Sequence, residues 1–68
     1  MRWFARHRQE WIFETLRVFG YINRDHIVKK FGVSIAQAAV DFREFQKENP
    51  GVMEYDKSAK RYVATAAL

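Results

Sequence analysis

The chain has 68 residues, with twelve Lys and Arg against eight Asp and Glu, a formal net charge of +4, 49% hydrophobic residues, 16% aromatics and no cysteine. A core of this size supplies only about 3–5 kcal/mol, so one small domain without disulfides gains from a partner subunit or a second domain, and an elaborate active site has little room. The longest run free of charged side chains, Phe31 to Val40, is half of the roughly 20 residues a membrane span needs, and the aromatic content is too high for a disordered basic tail, so the positive charge sits on a folded object whose first expected partner is nucleic acid.

Ala5, Ile12, Leu16 and Phe19 recur at helical spacing and predict an amphipathic helix over about residues 2–19, with Gly20 as its stop. Its basic start, Arg2, Arg6 and Arg8, runs into Glu10, Glu14 and Arg17 instead of an apolar block, so it is no signal peptide. With no disulfide-capable residue either, a cytosolic protein is the default expectation. A second, short helix opens at Asn23, a good N-cap, with Asp25 in its first turn to suit the helix dipole. Ile22 and Ile27 are spaced for a hydrophobic staple, and Gly32 ends the helix after Lys29 and Lys30.

Only Val33 separates Gly32 from Ser34, and Ser34-Ile35-Ala36-Gln37 matches the capping-box pattern. The third helix that starts there has Ile35, Ala38, Ala39, Phe42 and Phe45 as its apolar face and is terminated by Asn49-Pro50-Gly51. Two helices joined by so tight a turn, over about residues 23–48, make a helix-turn-helix unit. Val52 to Asp56 and Arg61 to Thr65 then flank the polar stretch Lys57-Ser58-Ala59-Lys60. They predict a β-hairpin over about residues 52–65, with Tyr55 near Tyr62, although no Asn-Gly or Asp-Gly marks its turn. The fold class is mostly α with a β-hairpin: a single winged helix-turn-helix domain over residues 1–68, three helices followed by a two-stranded wing.

No catalytic constellation is legible. His7 and His26 fall on different helices, no carboxylate pair lies by a glycine-rich loop, and metal ligands occur at no recognised spacing, so neither an enzyme nor a metal or cofactor is expected. His26, third in its helix, reads as a surface or cap residue. The stronger signal is the outer face of helix three, with Ala36, Gln37, Val40, Arg43, Glu44 and Lys47 opposite the core stripe. In a major groove the small Ala36 and Val40 would allow close approach, Gln37 would read adenine, and Arg43 would meet guanine or a phosphate. Ser34 and Lys47 are assigned to phosphate, while Glu44 would oppose it. Lys57, Ser58, Lys60 and Arg61 cluster at the wing tip as further phosphate contacts, and Asn23 and Arg24 are placed to clasp a phosphate at the start of helix two. Phe4, Trp11 and Val18, seven residues apart, form an apolar stripe beside the core stripe and are the candidate dimer or domain interface.

Taken together, the chain resembles the N-terminal winged-helix domain of WYL-domain transcriptional regulators, particularly the repressor-like ones of bacterial phage-defence loci. The resemblance lies in Arg8, Ile12, Glu14 and Leu16, in Gly20-Tyr21-Ile22-Asn23-Arg24, in Phe31-Gly32-Val33-Ser34, in Gln37-Ala38, Asp41-Phe42 and Pro50, and in Tyr55-Asp56-Lys57-Ser58-Ala59-Lys60 and Tyr62-Val63-Ala64-Thr65. It implies a homodimer, in the bacterial cytoplasm on the nucleoid, that binds double-stranded DNA and represses transcription at palindromic operators, with a C-terminal ligand-sensing module that lies outside these 68 residues. The chain is then either an isolated domain or a natural short form. Two positions depart from the pattern: His26 stands where an acidic residue is usual, and Val40 where a polar one is common. The competing expectation is a protein-interaction module that uses the same fold without reading DNA.

Overall fold

The computed structural model describes residues 3–68; the expected helix start at Arg2 lies outside the described residues. Along the chain follow α1 (Trp3–Phe19), β1 (Tyr21–Ile22), α2 (Arg24–Phe31), α3 (Ile35–Glu48), β2 (Met53–Asp56) and β3 (Arg61–Ala64). Three helices and a small antiparallel sheet are the layers of a winged helix.

Local chemistry sets the helix boundaries. Asn23 caps α2: its Oδ1 accepts from the His26 N–H at 3.1 Å, and His26 Nδ1 accepts from the Asn23 N–H at 3.1 Å. This is a capping box with imidazole in the place of the usual Glu or Gln. Gly32 ends α2 in the left-handed region (φ 67°), its N–H bonded to the Val28 carbonyl at 2.8 Å. A Cβ there would meet nothing within 4 Å, so glycine is required by the backbone and not by space. Ser34 Oγ accepts from the Gln37 N–H at 3.0 Å and starts α3 two residues later. The expected reciprocal half of that box is missing, because the Gln37 side chain turns instead to Asp41.

The sheet has three strands in the order β1-β3-β2, where the sequence predicts two. In the added pair Tyr21 lies opposite Val63 and Ile22 opposite Tyr62. Two residues are too few to show alternation, so β1 left no pattern to read. It ties the wing to the α1–α2 connection, reinforced by the Ala64 N–H donating to the Gly20 carbonyl at 2.9 Å. Between β2 and β3, Tyr55 faces Tyr62 and Asp56 faces Arg61. Asp56 Oδ1 organises the turn by accepting from the Ser58 and Ala59 N–H groups at 3.0 and 3.1 Å, and Lys60 adopts φ 57°. An Asx turn thus replaces the glycine that such hairpins usually use.

Ile12 and Leu16 of α1, Ile22, Ile27 of α2, Ala38, Phe42 and Phe45 of α3, and Met53 form the core. Each large side chain among them stabilises the fold by roughly 1.5–3 kcal/mol through burial. Four residues of the expected apolar faces are not in it: Ala5 and Ala39 are half-buried, and Phe19 and Ile35 are exposed. Phe19 is 69% exposed, because the last turn of α1 runs past the core before the chain reverses at Gly20. Ile35 is 60% exposed at the first position of α3, beyond the reach of α2. The face that α3 buries is Ala38, Asp41, Phe42 and Phe45, so a carboxylate occupies a place the apolar pattern gave to Ile35 and Ala39.

Candidate nucleic-acid interface

Opposite the core, α3 presents Ala36, Val40, Arg43, Glu44 and Lys47, all exposed, with Gln37 half-buried beside them. Ser34 heads the same helix; its hydroxyl oxygen is engaged by the Gln37 N–H, which leaves the hydroxyl proton free to donate outward. Asn23, Arg24 and Lys60 line one cleft of about 200 Å³ together with Asp25 and Tyr55, so the α2 cap and the wing turn, more than thirty residues apart in sequence, converge there. The box that joins Asn23 and His26 consumes two donors of the helix start. By helix geometry the N–H groups of Arg24 and Asp25 are left to an outside acceptor, with the Asp25 carboxylate opposing it.

Charge is distributed unevenly. Among the described residues the ion pairs are Arg6 with Glu10, Arg8 with Asp41, and Arg17 with Glu14, each of which neutralises an arginine of α1. Arg24, Arg43, Lys47, Lys57 and Lys60 enter none of them. Among the described residues the cations outside these pairs therefore belong to α2, where Lys29 and Lys30 join Arg24, to α3, to the turn of the wing and, in Arg61, to the start of β3. That turn carries Lys57, Ser58 and Lys60, all exposed.

Arg61 does not share that position. It is the first residue of β3, half-buried, with its guanidinium 4.2 Å from the centre of the Tyr21 ring. Strand parity is the reason: Tyr62 faces the core, so Arg61 and Val63 take the outer face, where β1 supplies the aromatic. The apolar stripe on α1 also divides. Phe4 and Val18 are 69% and 57% exposed, but Trp11 is half-buried and meets Phe31 of α2 edge-on at 5.6 Å. Trp11 is mainly a helix-packing residue and not part of a free stripe.

Sequence reasoning missed Arg8 and Asp41, which stand behind Gln37, Tyr21 beneath Arg61, and Asp25 in the cleft. The one sequence signal for Asp41 is its spacing: Ala38, Asp41, Phe42 and Phe45 follow the i, i+3, i+4, i+7 pattern of a buried face. Among the described residues no group of three or more metal-ligating side chains converges, and no helix is long and apolar enough to cross a membrane.

Residues 6–68 match the family model of the BrxR transcriptional regulator winged helix-turn-helix domain. The chain belongs to this family. Its relatives include the DNA-binding transcriptional repressor CapW of Escherichia coli (strain KTE188), 41% identical over 64 residues, which are 94% of this chain and 21% of that protein. The protein of the same name from Pseudomonas aeruginosa is 41% identical over 67 residues, 98% of this chain and 22% of the relative. The chain thus spans about a fifth of the length of the curated relatives it matches. The resemblance to repressor-type regulators and the match to this BrxR domain agree on a winged helix of transcriptional regulators.

Proposed function

We propose that this BrxR-type domain binds double-stranded DNA sequence-specifically, as the reader of a transcriptional repressor acting in the bacterial cytoplasm. The observation that carries the reading is the placement of uncompensated cations. Arg43 and Lys47 lie on the exposed face of α3, Arg24 and Lys60 share a cleft between the start of α2 and the wing, and Lys57 extends the wing, while the arginines of α1 with described ion pairs are neutralised. A helix face of small and polar residues, with further positive charge on the neighbouring elements, suits a major groove and its phosphates. Ala36, Gln37, Val40 and Arg43 are the base-facing positions. Asn23, Arg24, Ser34, Lys47, Lys57, Ser58 and Lys60 are the phosphate-facing ones, with Arg61 behind them at the start of the central strand β3. The role is binding alone and asks no catalytic group of the chain.

A homodimer on a palindromic operator is the finer form of this proposal, with Phe4 and Val18 on the contact surface. Selection of duplexes from a random pool by the 68-residue chain tests both parts. A recovered consensus supports specific reading, and an inverted repeat supports the dimer. Retention of no duplex at about 50 mM salt would remove the reading, since phosphate contacts are strongest at low salt. Stable self-association in its place, abolished by Phe4→Ala with Val18→Ala, would favour an interaction module, for which the exposed Trp3, Phe4 and Phe19 speak.

A further inference from the structure

Asp41 is the buried charged residue among those described, its side chain 4% exposed. Its carboxylate takes donors from two helices. Arg8 Nε donates to Oδ2 at 2.6 Å and a terminal Arg8 nitrogen to Oδ1 at 3.2 Å, a two-pronged pair from α1. Gln37, one turn earlier on α3, donates from Nε2 to Oδ1 at 3.0 Å. Gln9 also holds this turn, its Nε2 donating to the Asp41 carbonyl at 2.8 Å.

An ionised carboxylate accepts hydrogen bonds and cannot donate them, so it determines which end of the Gln37 amide faces inward. The NH₂ group is turned to Asp41, and the carbonyl Oε1 and one N–H remain for an outside partner. The same contact explains why Gln37 is half-buried on an otherwise exposed face. Arg8 has a second effect: it cancels a negative charge that would otherwise stand one turn from a helix face meant for a polyanion.

We propose that Arg8 and Asp41 are positioning residues for base readout, holding the Gln37 amide in one orientation so that a donor and an acceptor are presented side by side. That pair matches N7 and N6 of adenine at the major-groove edge. The proposal rests on the reading of α3 as the base-contacting helix. An amide free to turn over offers its donor and acceptor in either order and loses its preference among bases. Specificity at one operator position therefore depends on a residue of α1 that does not touch DNA.

The test combines competition binding with nuclear magnetic resonance on the 68-residue chain. Duplexes selected by the wild type are changed one base at a time, and Gln37→Ala identifies the position it controls. The wild type is expected to prefer adenine there by about tenfold or more. Asp41→Asn should reduce that preference to about twofold while the preferences at other positions and the salt slope stay as they were. Because removing one partner of a buried pair can unfold so small a domain, Asp41→Glu provides a second variant: it keeps the charge beside Arg8, displaces the carboxylate, and should lose the same preference. In the free wild-type protein, the Gln37 side-chain amide protons should exchange more slowly than those of the exposed Gln46. Gln37 protons as fast as those of Gln46, or a folded Asp41 variant that keeps its preference at this position, would overturn the proposal. So would an equal loss at every position, the mark of a merely structural pair. A held amide in a protein that shows no duplex preference would instead remove the DNA reading, and the proposal with it.

Discussion

Tyr62 of β3 lies over Phe42 of α3 with ring centroids 4.5 Å apart and planes inclined by 27°. Tyr55 of β2 meets Tyr62 in turn, edge to face at 5.0 Å. Phe42 is fully buried, so the side chain that seats the third helix also seats the wing, and the spacing of the two elements proposed to face DNA is set inside the core. Tyr62→Ala should therefore lower stability by about 2–3 kcal/mol, the loss of a half-buried aromatic together with its ring contacts. Against a total of about 5 kcal/mol, urea denaturation would show a much earlier midpoint. Tyr62→Phe keeps both ring contacts and should stay within about 0.5 kcal/mol of the wild type. An unchanged midpoint for Tyr62→Ala would mean that the wing is held by β1 pairing alone.

The box at the start of α2 is built from Asn23 and His26. An eight-residue helix has no independent stability, so its cap weighs on the whole domain. Asn23→Ala removes the side-chain acceptor for the His26 N–H, leaving only the Asn23 carbonyl at 3.1 Å, and should cost about 1 kcal/mol. His26→Glu would supply the usual carboxylate to the box and place a negative charge at the positive end of the helix dipole, a gain of about 0.3–1 kcal/mol. Thermal midpoints should rank His26→Glu above the wild type and Asn23→Ala below it. Duplex affinity should not follow that order, because a new carboxylate beside Arg24 opposes phosphate. If His26→Glu raised both, the cleft between α2 and the wing would not be a phosphate site.

Helix boundaries were legible because their chemistry is local. Asn23, Gly32 and Ser34 each act within four residues of themselves, and the structure uses all three as helix ends, although only half of the box expected at Ser34 forms. Side-chain destinations set by distant residues were not legible. Asp41 looks like a surface charge until its partner is seen 33 positions earlier on another helix. Trp11 looks like part of an open stripe until Phe31 is placed against it. Arg61 joins the wing-tip cations by sequence proximity, yet strand parity and the unread strand β1 lay it over Tyr21. The candidate site was visible in outline on α3 and the wing turn, while the network that stiffens it depended on tertiary contacts.

The wing turn offers charge without sequence information. Lys57 and Lys60 are exposed and in no ion pair among the described residues. Replacing either by alanine should reduce the log–log dependence of affinity on salt by about 0.9, and replacing both by about 1.8. The loss should be equal on selected and scrambled duplexes. Arg61→Ala should behave differently: it removes the contact with Tyr21, which is worth about 0.5–1 kcal/mol to the sheet, and should change the slope less. Titrations of these variants from about 50 to 200 mM salt distinguish the roles. An unchanged slope for the double lysine variant would take the wing out of the interface.

Arg43 and Lys47 lie one turn apart on the same exposed face of α3, and both are free of ion pairs among the described residues. Their chemistry differs more than their charge. A guanidinium offers a planar fork that matches O6 and N7 of guanine, whereas an ammonium is a point charge suited to phosphate. Positions nearer the helix start reach base edges, and later ones drift toward the backbone. Arg43→Ala is therefore expected to weaken binding to a selected duplex by about 1–3 kcal/mol and to a scrambled one by much less. Arg43→Lys should retain most of the salt slope but recover little of the discrimination, since it restores charge without the fork. Lys47→Ala should weaken both duplexes alike. Competition between selected and scrambled duplexes for the three variants measures this directly, and an equal loss on both for Arg43→Ala would reassign it to the phosphate backbone beside Lys47.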